Sequence, residues 1–283
     1  MTARKRKSQT SNLIVISDLH CGCRFGLFPD EQVELDGGVT VGPSELQRKA
    51  WSWWGEFWGE WVPRACHGEP FTVVVNGDST DGVHHGSVTQ VSHNLADQAK
   101  IAEKVLKPVV DLCDGQFYMI RGTEAHVGKS GQEEERLAKA LGAKKDREGH
   151  HARYELWIRV GQGLVHILHH IGTTGSQHYE STSPLKELVE AYAEAGRWRG
   201  QPPDCIVRSH RHRHIEVRVP TSLGYGITFT TPGWQLKTPF AWKIPGARQS
   251  VPQLGGSLVR QGDEDMYTRH FVRSPERPKV EIA

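Results

Sequence analysis

The chain has 283 residues, 37% of them hydrophobic, a mean hydropathy of −0.53 and a formal net charge of +2 with histidine neutral. That length suits one large α/β domain or two small ones, and no run of about eighteen apolar residues is available to cross a membrane. A charge this near balance exerts no strong global pull on DNA or RNA, so composition leaves a nucleic-acid partner open.

Residues 1–11, with Arg4, Lys5, Arg6 and Lys7, read as a basic flexible tail without the apolar stretch of a signal peptide. Residues 12–272 read as one domain, and 273–283 as a charged C-terminal tail. The five cysteines form no ladder of spacings, which argues against a disulfide scaffold and for a cytoplasmic setting.

"NLIVIS" (12–17), "FTVVVNG" (71–77) and "QFYMIRG" (116–122) are apolar runs of the kind expected of strands buried on both faces. Between the first two, Trp51, Trp54, Trp58 and Trp61 recur at helical spacing, the stripe of a crossover helix packed on a sheet. "LADQAKIAEKVLKPVVDL" (95–112) supplies a second crossover helix, with a kink or break expected at Pro108. "RYELWIRV", "GQG" and "LVHILHH" predict a hairpin. A helix is expected over 183–196, capped by Ser183 and stopped at Gly196. "DCIVRS", "HIEVRV" and "GITFTT" complete a set of mixed sheets with helices outside.

The polar residues follow the strands. Asp18 and His20 come after the first, Asp78 and Asp81 after the second, and Glu124 and His126 after the third. His169 and His170 end the hairpin, and His210 and His212 follow "CIVR". Open α/β sheets place ligand sites at the C-terminal ends of their strands, and five deliveries of carboxylate or imidazole there point to one site. Oxygen and nitrogen donors without thiolate suit Mn, Fe, Zn, Co or Ni. A pair of such ions polarises phosphoryl oxygens and makes a hydroxide nucleophile at neutral pH, the chemistry of phosphoester hydrolysis.

In order, "DLH", "GDSTDG", "RGTEAH", a lone histidine and "SHRH" resemble the motifs of the calcineurin-like metallophosphoesterase superfamily over about residues 13–232. The resemblance implies a four-layer α/β/β/α sandwich with a dinuclear metal centre on its upper edge. It implies that Asp18, His20 and His212 hold one ion, that Asp78 bridges, and that His210 and one of His169 or His170 hold the second. It makes Asp81 the partner that orients the catalytic histidine, and it places His214 outside the ligand set. Ser209 stands where the family has glycine.

"RGTEAH" departs from the family's Gly-Asn-His-Glu/Asp: Thr123 and Glu124 stand where a ligand asparagine and an acid histidine are expected. A shifted arrangement is the reading adopted, with Glu124 as a second-ion ligand and His126 as proton donor to the leaving oxygen. His84, His85, Arg121 and Arg211 are candidates for the substrate phosphate. Three functions follow: a phosphomono- or phosphodiesterase, a nuclease if Arg121, Arg208, Arg211 and Arg213 line a basic channel, or a binding module on the same scaffold. The sequence does not set oligomeric state.

Overall fold

In a computed structural model of the chain, the structure describes residues 10–172, 176–222, 224–244, 248, 250–263, 265–276 and 281. The basic cluster at Arg4–Lys7 and most of the expected C-terminal tail lie outside the described residues.

The first half comprises β1 (Asn12–Ile16), a small hairpin of β2 (Val33–Glu34) and β3 (Thr40–Val41), and α1 (Glu45–Glu56). A π-helical turn over Phe57–Trp61 joins α1 to α2 (Val62–Ala65); β4 (Thr72–Asn76), α3 (Leu95–Leu112), β5 (Phe117–Ile120), α4 (Glu124–Val127), α5 (Gln132–Ala140) and β6 (Ala152–Arg153) follow. The second half comprises β7 (Glu155–Val160), β8 (Gly163–Leu168), α6 (Thr182–Trp198), β9 (Cys205–Arg208), β10 (Ile215–Thr221), β11 (Gly224–Thr230), β12 (Leu254–Gln261) and β13 (Met266–Arg273).

Two sheets result, in the orders β13-β12-β1-β4-β5-β6 and β10-β11-β9-β8-β7. Leu13, Val15 and Val74 of the first meet Val165, Val207 and Phe229 of the second in a shared apolar layer. Alternate residues of the same strands, such as Ile14, Ile16 and Val75, face the other way onto α1, α3 and α5. Trp54 and Trp58 are buried there, and Trp54 meets Trp234 edge to face at 4.8 Å. Helix α6 covers the outer face of the second sheet, where Leu188 and Tyr192 pack over Gly226. The molecule is thus a four-layer α/β/β/α sandwich.

Two expectations about helices differ from what is observed. Helix α3 runs through Pro108 without a break, starting from an Asn94 side chain that accepts the Ala96 amide at 3.0 Å. Helix α6 begins before Ser183, whose hydroxyl accepts from Arg211 instead of capping, and it passes Gly196 to end at Arg199 in the left-handed region (φ 53°).

Candidate functional site

Strands β1, β4 and β5 are mutually parallel, as are β8 and β9 in the other sheet, and the loops after all five meet at one edge. The floor of this edge is a buried polar seam joining the two sheets. Asn76 Nδ2 donates to the Leu168 carbonyl at 3.1 Å and to Ser209 Oγ at 2.7 Å. Thr231 Oγ1 lies 2.7 Å from Ser209 Oγ and 2.6 Å from Ser17 Oγ. Serine at 209 therefore takes a place in this seam that a glycine would leave empty.

Above the seam stand three groups of donors, Asp18 with His20 and His212, Asp78 with His169 and His210, and a third that shares His20 with Asp81 and His126. The ligand atoms of each group all lie within 4.8 Å of one another. His20 Nε2 and His212 Nε2 converge to 3.1 Å, and His212 Nε2 lies 3.1 Å from Asp18 Oδ1. His169 Nε2 lies 3.1 Å from Asp78 Oδ2 and 4.0 Å from Asp18 Oδ1, so it stands where the first two groups adjoin. Its Nδ1 donates to the Asn76 carbonyl at 2.6 Å, which fixes the ring and points Nε2 at the carboxylates.

The backbone is strained at these positions. Asp18, His20, Asp78, His210 and His212 all adopt positive φ, between 45° and 71°. Left-handed non-glycine residues are costly and persist where the surrounding structure demands them, commonly at functional sites. The glycines beside them give the close approach: a Cβ on Gly122 would lie 2.0 Å from Asp78 Oδ1, and one on Gly77 2.3 Å from His169 Nδ1.

Charge is concentrated here out of contact with water. Burial opposes ionisation of Asp18 and Asp78, yet His212 and His169 respectively hold the two carboxyls well below the usual range. Burial likewise opposes charge on His169, but Asp78 and then Asp18 carry its pKa up to about 10. Burial and the neighbouring His126 push His20 down to about 4. Asp18 Oδ1 and His169 Nε2 are buried and face His212 and Asp78 respectively at 3.1 Å without a well-formed hydrogen bond. Buried polar atoms held in this way are expensive unless a further group, such as a cation, satisfies them. The donor set, carboxylate and imidazole without thiolate, fits divalent ions such as Mn, Fe, Zn, Co or Ni.

The remaining candidates divide. His169, wholly buried, joins a donor group, whereas the exposed His170 does not. Thr123 replaces a ligand asparagine by capping Asp78: its amide donates to Oδ1 at 2.7 Å and its hydroxyl lies 3.2 Å from both oxygens. Glu124 is exposed at the start of α4 and joins no donor group among the described residues. His126 does face the site, with Nε2 4.0 Å from Asp78 Oδ2 and Nδ1 2.6 Å from the Asp81 carbonyl.

The Asp81 carboxylate turns to His20 Nδ1 (3.2 Å) and Gln90 Nε2 (2.7 Å) and has an oxygen within 4.8 Å of a His126 ring nitrogen, while its backbone carbonyl holds His126 Nδ1 at 2.6 Å. It therefore orients a donor of the first group. His84 packs on His126 with ring centroids 4.5 Å apart and reaches Asp81 Oδ2 at 3.6 Å, and His85 stands beside it.

The arginines form no open basic channel. Arg121 points back to the Ala152 and Ser130 carbonyls and stacks on Tyr154. Arg208 is buried against Glu187 at 2.8 Å, and Arg213 pairs with Glu180 at 3.1 Å. Arg211 lines the cleft, but its guanidinium is taken by the Gly172 and Glu180 carbonyls and Ser183. His214 lies apart from the ligands, stacked on His270 at 3.8 Å and bonded to the Thr230 carbonyl.

One residue carried no sequence signal. Glu134, on α5 and buried, accepts from Ser79 Oγ at 2.8 Å and the Gly122 amide at 2.7 Å, tying together the loops after β4 and β5. Burial, then the nearby Asp78, raises its pKa to about 7.

No family model and no curated relative matches the sequence. Among solved structures the chain is similar to a predicted phosphoesterase from Streptococcus pneumoniae (12% identity, 93% of this chain and 98% of that one, TM-score 0.33). It is also similar to vacuolar protein sorting 29 from Cryptosporidium parvum (11%, 95% and 100%, 0.36) and a metallophosphoesterase from Sphaerobacter thermophilus (10%, 94% and 89%, 0.39). Likenesses this distant say nothing about activity or substrate. In the order of its motifs, and in the sandwich that delivers them to one edge, the chain resembles the calcineurin-like metallophosphoesterase superfamily.

Proposed function

We propose that the protein is a metal-dependent phosphoesterase with a dinuclear centre. The observation that carries this reading is the pair of adjoining donor groups, Asp18–His20–His212 and Asp78–His169–His210, gathered at one edge from the loops after β1, β4, β8 and β9, with Asp18, His20, Asp78 and His169 buried. Ions held by these residues would polarise phosphoryl oxygens and lower the pKa of an attacking water.

The chain's own residues do the rest. Asp81 holds His20 in one orientation, and Thr123 and Glu134 keep Asp78 and its loop in place. His126, with Nδ1 engaged by the Asp81 carbonyl, presents Nε2 to the cleft, where it supplies a proton to the leaving oxygen as the P–O bond breaks. His84, packed on His126, is positioned to contact a phosphoryl oxygen.

The test is a panel of aryl phosphomonoesters and phosphodiesters assayed with added Mn²⁺, Zn²⁺, Co²⁺ or Ni²⁺ and with chelator. Metal-dependent, chelator-sensitive hydrolysis of at least one class is expected. Metal binding without turnover of any ester would favour a binding module instead.

A further inference from the structure

The donor groups belong to a larger cleft of about 640 Å³, and away from them its lining gathers apolar side chains, with Lys237, Thr238, Lys243 and Ser250 among them. Leu236, Pro239, Phe240, Ile244, Val251 and Pro252 make up this apolar wall. Phe240 is 64% exposed and Ile244 37% exposed, unusual for large apolar side chains gathered in one place.

The described residues of the wall are tied to one another and to the sandwich. Lys237 Nζ donates to the Arg248 and Ser250 carbonyls, bracing this stretch, and sits over the Trp242 ring at 3.4 Å. The Leu236 amide donates to the Phe25 carbonyl at 2.7 Å, anchoring its start to the sandwich. The His85 ring lies nearly parallel to Phe240, with centroids 6.5 Å apart and an interplanar angle of 9°. An uninterrupted surface thus runs from the site histidines to the apolar wall.

A volume in this range holds a whole organic molecule, well beyond a phosphate group alone. Its lining differs in character, with the donor groups suited to a phosphoryl group and the apolar side chains to hydrocarbon. We propose that the wall built around Phe240 selects phosphoesters carrying an apolar ester group, an alkyl chain or aryl ring that lies along it while the phosphorus sits over the donor groups. The proposal rests on the phosphoesterase reading for what the donor groups take. Phe240 and its neighbours are specificity residues that touch substrate away from the reacting atoms.

The experiment compares methyl and hexyl 4-nitrophenyl phosphate, which share a leaving group and differ only in the chain offered to the wall. It also measures calorimetric binding of methylphosphonate and hexylphosphonate to the Mn²⁺-treated protein, which needs no turnover. The hexyl diester should show kcat/KM at least about tenfold higher, equivalent to burying roughly two methylenes, and hexylphosphonate should bind more tightly by a similar factor. Phe240→Ala should shrink both advantages severalfold and leave the binding of methylphosphonate, which carries no group long enough to reach the wall, unchanged. If no ester is turned over but hexylphosphonate keeps its advantage and Phe240→Ala removes it, the wall stands and the hydrolytic reading falls. Equal values for methyl and hexyl compounds in both measurements would overturn the wall, whether or not the esters are cleaved.

Discussion

Asp78 gathers more of the site than any other residue. It accepts from the Thr123 amide, meets His169 at 3.1 Å and lies within 4.0 Å of His126. His210 and His212, from the loop after β9, complete the Asp78 and Asp18 donor groups, while His214 has already turned away to stack on His270. His210→Ala and His212→Ala should therefore each lower turnover by about a hundredfold or more and weaken metal binding, with His214→Ala within about threefold of wild type. Equal losses at all three in a steady-state assay would contradict the division. His126 gives a different signature. A lost proton donor hurts poor leaving groups most, so His126→Ala should slow alkyl esters by about 10²–10⁴-fold and spare nitrophenyl esters. A uniform loss across leaving groups would remove His126 from that role. These histidines were legible because each follows a buried apolar run. The choice between His169 and His170, and the partners of Asp81, were not, since adjacent residues differ only in which way a loop turns.

At the level of elements, the loops after β4 and β5 depend on helix α5. Glu134 is their shared anchor, accepting from Ser79 on one and Gly122 on the other. Glu134→Ala strands these buried donors and should cost about 1–3 kcal/mol of stability. It should also raise the metal concentration needed for half-maximal activity, a readout that a purely global loss of stability would not move below the melting transition. Unchanged metal dependence would reduce Glu134 to a structural contact. Nothing in "GQEEERLAKA" marks the second of three consecutive glutamates as buried; only the packed position of α5 does. Strands β12 and β13 were equally hidden. "LGGSLVRQ" carries two glycines that weaken a strand pattern, yet both are required, because a Cβ on Gly256 would strike Phe57 and one on Gly255 the Phe271 carbonyl. The long apolar strands and the tryptophan helix were plain from periodicity, since burial dictates composition there.

Across the whole molecule, the two sheets are clasped at one edge by Glu216 of β10. Its carboxylate takes His270 Nε2 of β13 at 2.8 Å, the Thr268 hydroxyl and Arg218 Nε at 2.6 Å. Burial works against its charge, but these partners, His270 foremost, lower its pKa from 4.5 to about 2. A carboxyl depressed in the folded state adds stability above its unfolded pKa and loses it as pH falls toward the folded one. Glu216→Gln should therefore cost about 1–3 kcal/mol at pH 7, with the gap to wild type closing as pH drops from 4.5 toward 2. A gap independent of pH in denaturant melts would show that the clasp acts by shape alone. The clasp sits on strands far from the ligand loops in sequence, and the order of motifs gave no hint of it.

The central claim is that the edge where these sheets meet holds a pair of ions. Elemental analysis of the full chain, loaded with Mn²⁺ and freed of excess by gel filtration, tests it most directly. About two ions per chain are expected for wild type, and fewer than one for Asp78→Asn, since the proposed centre makes the Asp78 carboxylate its bridge. Wild-type protein that retains no stoichiometric metal yet cleaves phosphoesters in the presence of chelator would contradict the account.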